Sequence, residues 1–103
     1  MTSRSAGAPG GRSAASARLP GGDLVERGIA DLAMGFETCE ALLVSIGHPR
    51  LRRLGLDLPP PLVEPEQRLY RLLAAQDPDR AHSRYNALVR RLVSFERALT
   101  CAR

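Results

Sequence analysis

A chain of 103 residues with a formal charge of +4 has room for one small domain. No apolar run approaches the roughly 18 residues that a membrane span needs, and no signal-peptide core follows Met1, so a cytoplasmic protein away from the membrane is expected. Two cysteines, Cys39 and Cys101, cannot build a disulfide framework. Neither they nor His48 and His82 stand at metal-ligand spacing, so neither a metal nor a cofactor is expected.

Residues 1–20 are rich in Ser, Arg, Ala and Gly, and Thr2 to Arg18 lacks both acids and large apolar side chains. Such a stretch cannot bury enough surface to offset its ordering entropy, and a disordered tail is expected there. The fold then belongs to residues 21–103.

From Asp23 onward Val25, Ile29, Leu32, Phe36, Cys39, Leu43 and Ile46 alternate steps of four and three, which keeps one stripe on one side of a helix. The spacing predicts a helix over 23–47, capped by Asp23 with Glu26 three residues on, and stopped by Gly47 and Pro49. A short helix is expected over 49–54, ending at Gly55. The prolines at 59, 60, 61 and 65 favour an extended, stiff connector. A third helix is predicted over 65–76 with Leu69, Leu72 and Leu73 inward and Glu64 paired to Arg68. Asp77 as cap and Pro78 as first residue open a helix over 78–102, whose stripe is Ala81, Tyr85, Leu88, Leu92, Phe95, Leu99 and Ala102. The fold class expected is a small all-α bundle with two long helices, each about 36 Å. The spacing leaves open whether they run parallel or antiparallel.

Charge separates along the chain. Residues 23–47 hold one Arg against five acids, and residues 80–103 hold six Arg against one Glu. Glu26, Glu37 and Glu40 border the first stripe and Arg80, Arg84 and Arg91 the last, so these borders are expected to pair. Arg90 and Arg97 project from the opposite side, and Arg50, Arg52 and Arg53 cluster after the predicted stop. These five are candidate contacts to an anion or to nucleic acid, although a solvated face and the negative end of the first helix account for them as well. Every basic residue is an arginine, a bias that a GC-rich coding sequence produces by itself.

Ala30, Met34, Ala41 and Val44 make a second apolar strip on the first helix, which needs a second neighbour. The third helix is one candidate; another chain is the other. Gly28 and Gly35 suggest close approach of another backbone along that side. A phosphate-binding loop, a nucleophile elbow and a His-Glu-x-x-His helix are all absent from the sequence, and the four aromatics sit within predicted helices, so no enzyme is expected. The turn from Gln76 to Arg80, followed by Arg80, His82, Ser83 and Arg84, has the outline of a helix-turn-helix.

The first functional expectation is a non-enzymatic interaction module, a regulatory or antitoxin-like protein that dimerises or binds a protein partner through the strip Ala30, Met34, Ala41 and Val44, with no small-molecule substrate. The second is a nucleic-acid-binding regulator that uses Arg50, Arg52, Arg53, Arg90 and Arg97.

Overall fold

The computed structural model describes residues 18–102, which form four α-helices and no strand. They are α1 (Gly22–Ala33), α2 (Cys39–Arg53), α3 (Pro65–Gln76) and α4 (Ala81–Ala102). The all-α bundle read from the sequence is the architecture. Of the expected tail, residues 1–17 lie outside those described.

The helix expected over 23–47 is two helices, and the reason is local. Gly35 takes the left-handed backbone, φ 80°, which an L side chain resists and glycine does not. Its N–H bonds to the Leu32 carbonyl at 3.1 Å, and the Phe36 N–H bonds to that of Asp31 at 2.8 Å, the paired bonds that end a helix in a Schellman turn. Three residues later Thr38 restarts the helix: its Oγ1 accepts from the Ala41 N–H at 3.1 Å and donates to Asp31 Oδ2 at 2.6 Å. Asp31 thus ties the end of α1 to the start of α2. The unbroken heptad spacing hides this break because both helices bury the same stripe.

The start and stop signals shift accordingly. Asp23 does not cap α1; Gly21 holds that position, and the Asp23 carboxylate reaches Arg91 at 3.5 Å. Gly47 and Pro49 do not stop α2, which continues to Arg53 and absorbs the short helix expected over 49–54. The actual stop is at Gly55, φ 100°, where the Gly55 N–H bonds to the Arg52 carbonyl and the Leu56 N–H to that of Leu51, with Leu51 and Leu56 both buried. Burial of that last turn outweighs the one hydrogen bond that Pro49 removes.

α1 folds back on α2. Gly28 lies where a Cβ would come within 2.4 Å of the Glu40 carbonyl oxygen and 2.5 Å of Val44 Cγ2. The close backbone approach anticipated at Gly28 is therefore real, and the approaching backbone is the chain's own α2. The proline segment returns along α2: the His48 Nε2–H donates to the Pro59 carbonyl at 2.9 Å, and the Leu62 N–H donates to Ser45 Oγ at 3.0 Å. α3 starts from there and runs against α2, its bounds those predicted. Arg68 pairs with Glu37 at 3.2 Å and not with Glu64.

α4 begins at Ala81, three residues later than expected, because Asp77 to Arg80 form a turn closed by Arg80 N–H to Asp77 O at 3.2 Å. It runs along α2 in the same direction, as shown by Leu92 against Gly47 and Glu96 against Arg50. The orientation left open by the sequence is thus resolved twice, with α1 opposed to α4 and α2 aligned with it. Val25, Leu42, Leu43, Val44, Leu51, Leu69, Leu73, Leu92 and Phe95 are fully buried and form the centre of the core. Among the described residues no helix is long and apolar enough to cross a membrane.

Candidate anion-binding site

The strip expected to receive a partner does not survive the break in the helix. Ala41 and Val44 are fully buried on α2, while Ala30 on α1 and Met34, just past the end of α1, are exposed. The second neighbour that the strip demanded is α1 folding onto α2, with Val44 pressed against Gly28. What remains outside is a pair of side chains at the α1–α2 turn, Met34 at 68% and Phe36 at 53% exposure. Phe36 was expected on the inner stripe; it sits in the turn after Gly35 instead and loses its place in the core.

The ion pairs of Glu37, Glu40 and Arg91 are not the ones expected between the acidic and basic borders, for Asp23 lies outside the expected acidic border. Arg91 pairs with Asp23, but Glu40 lies near Arg27 at 3.9 Å, Glu37 pairs with Arg68, and Arg84 donates to Gln76 Oε1 at 3.0 Å. Folding α1 back lets α1 and α3 supply partners that a straight rod would have sought on α4. Arg84 is also turned back onto α3, and the Ser83 hydroxyl donates to the Arg80 carbonyl. The His82 ring nitrogen Nε2 lies 3.3 Å from Asn86 Nδ2, so three of the four polar side chains at the head of the expected recognition helix are engaged locally.

Three of the candidate arginines do converge. Arg50 and Arg53 from the last turns of α2, and Arg97 from α4, line one cavity of about 400 Å³ with Leu54, Glu96 and Thr100. Two facts of sequence position them. Continuation of α2 through Pro49 places Arg50 and Arg53 on the side facing α4, and the parallel course of α4 brings Arg97 level with them. Arg52 and Arg90 are exposed outside the cavity. Among the described residues the side chains of Arg52, Arg90 and Arg97 have no ion-pair or hydrogen-bond partner.

Glu96 is the residue that sequence reasoning missed. Its side chain is only 10% exposed, and Oε1 accepts from Arg50 Nε at 3.0 Å. Oε2 is buried without a hydrogen-bond partner. It rests over Gly47, where a Cβ would come within 2.9 Å of it and 3.0 Å of Leu92 Cδ2. Gly47, expected as a helix stop, is the gap that admits this carboxylate. The available signal was that Glu96 is the lone acid of a cationic helix and adjoins the apolar stripe between Leu92 and Leu99. Fixing Arg50 through Nε leaves its four terminal N–H donors unused by this contact.

No family model, curated protein or solved structure matches the chain.

A second cavity, about 470 Å³, lies at the opposite end among Glu37, Cys39, Glu40, Leu72 and Gln76. Its charges are mixed, with Glu37 and Glu40 set against Arg84. Burial, with Glu40 nearby, pushes the Cys39 thiol up from its usual value, so it holds less thiolate than a free cysteine. Among the described residues no group of three or more His, Cys, Asp or Glu is placed to hold a metal ion.

Proposed function

We propose that this chain is a small, non-enzymatic, cytoplasmic helical regulator that binds nucleic acid through its arginine-rich end. The observation that carries the reading is the convergence of Arg50, Arg53 and Arg97 on one cavity, with Arg52 and Arg90 exposed outside it. Guanidinium groups suit phosphate because their planar donor fork matches its oxygens, and the neutralised charge makes such binding salt-dependent. A scarcity of exposed aromatics argues for backbone contact over base stacking: only Phe36 and Tyr70 are exposed, and neither lines this cavity. The test is a salt titration of binding to duplex and single-stranded oligonucleotides. Affinity should fall steeply with salt, and replacing both Arg90 and Arg97 by Ala should flatten the log–log slope by about 1.5 to 2 units. Absence of binding at low salt ends the reading; an unchanged slope moves the interface elsewhere.

The exposed pair Met34 and Phe36 supports a second reading, an interaction module that dimerises or docks a helical protein partner at the α1–α2 turn. Met34 and Phe36 stand two residues apart in one exposed turn, and contiguous exposed apolar surface is a feature of interaction sites. Sedimentation at rising concentration tests it, and a monomer throughout that also retains no protein partner sinks it.

A further inference from the structure

Taking the nucleic-acid reading as its premise, we infer that the Arg50–Arg53–Arg97 cavity holds a terminal phosphate monoester of a strand, such as a 5′-phosphate, and so recognises ends over internal positions. Three observations support this. First, the ionisable side chains lining the cavity are three arginines and one glutamate, a formal +2. A phosphate monoester carries about −1.5 to −2 at neutral pH, whereas an internal phosphodiester carries one charge and leaves the cavity half neutralised.

Second, the site is braced. Glu96, nine-tenths buried, holds Arg50 by Nε, which fixes the plane of the guanidinium and leaves its terminal nitrogens for a ligand. A monoester presents three outer oxygens, and donors arriving from α2 on one side and from α4 on the other can reach them together. Glu96 is a positioning residue in this account; it repels an anion, and its Oε2 is set against Gly47. Third, Arg90 stands seven residues before Arg97, on nearly the same face of α4 and about 10 Å along it. The phosphates that follow the terminal one have a cation to pass.

The experiment compares two single strands of identical sequence, one with a 5′-phosphate and one with a 5′-hydroxyl, by fluorescence anisotropy with the full chain, alongside inorganic phosphate followed by arginine Nε–H resonances. The phosphorylated strand should bind at least about tenfold more tightly. Arg97→Ala should bring that ratio close to one. Arg90→Ala should weaken both strands alike and leave the ratio, and Arg71→Ala on α3 should change neither. Glu96→Gln, which keeps the shape and removes the charge that fixes Arg50, should lower the ratio severalfold; if it disturbs the fold by circular dichroism, Arg97→Ala carries the test alone. Equal, salt-dependent affinity for the two strands overturns end recognition and leaves the nucleic-acid reading standing. Failure of both strands to bind overturns both. If neither strand binds but inorganic phosphate shifts the resonances of Arg50 and Arg97, the cavity belongs to a small phosphorylated ligand and the strand is excluded.

Discussion

Helix α2 meets α1 and α4 across a glycine each, and the two seams do different things. Against α1, Gly28 admits a backbone carbonyl and a Val44 methyl, so the helices touch along an apolar line. Against α4, Gly47 admits a carboxylate with one oxygen lacking a hydrogen bond. A buried acceptor left unmade costs on the order of 1–3 kcal/mol. The first seam uses its glycine to gain packing, and the second uses it to house a group that packing alone would reject. The other oxygen of that carboxylate, Glu96, accepts from Arg50 Nε, at the mouth of the arginine cavity.

The difference is sharpest under alanine. At Gly28 the new methyl would lie 2.4 Å from the carbonyl oxygen of Glu40, an atom of the α2 backbone that cannot rotate away. Gly28→Ala should destabilise by about 3 kcal/mol, at the upper end for overpacking, measured as a fall in denaturation midpoint at constant m. At Gly47 the nearest atoms are the ends of Glu96 and Leu92, which can yield, and alanine gains about 1 kcal/mol of helix propensity. The net change there should be under about 1 kcal/mol. Equal losses at the two positions would erase the distinction.

Thr38→Ala breaks the hairpin that forms the first seam. It removes the cap on α2 and the hydroxyl held by Asp31, and should cost about 1 to 2 kcal/mol. Loss of far-UV helix signal at the same temperature as the global transition checks that α1 and α2 unfold together.

How much of this was legible follows from what spacing can and cannot encode. The 65–76 helix, the Gly55 stop and the inward stripe of α4 from Ala81 to Leu99 are written in short-range signals that nothing overrides, although Ala102, expected on that stripe, is exposed in the last turn. The break at Gly35 was written too, as a glycine three residues before a capping Thr38, but seven-residue spacing ran through it and favoured one rod. Gly47 and Pro49 mislead in the other direction, since a buried Leu51 one turn on keeps the helix going. The arginines were legible as types and positions. Their convergence was not, because it depends on where α2 ends and on which way α4 runs, and no local pattern states either.

Glu96→Met separates the two uses of a seam. Replacing a buried ionic group by an apolar one of similar volume is often neutral or stabilising. Because Arg50 is half exposed and keeps its hydration, the freed guanidinium should add little penalty. Stability should rise by up to about 1 kcal/mol while discrimination between the two strand ends is lost. A fall of more than about 2 kcal/mol would mean that Glu96 is there to hold α2 to α4 and not to aim Arg50.

The smallest effect should come from Phe36→Ser. By spacing Phe36 is the equal of Phe95, which is fully buried, yet it is 53% exposed beyond the end of α1, outside both seams. A surface substitution of this kind stays within about 0.5 kcal/mol, so its midpoint in dilute solution should match the parent. The informative measurement is the same substitution at two protein concentrations. If the parent melts at a higher temperature when concentrated and Phe36→Ser does not, the turn is covered by a second copy, because only association links stability to concentration. If neither depends on concentration, self-association through the turn is excluded, and the second reading is left with a different protein as its partner.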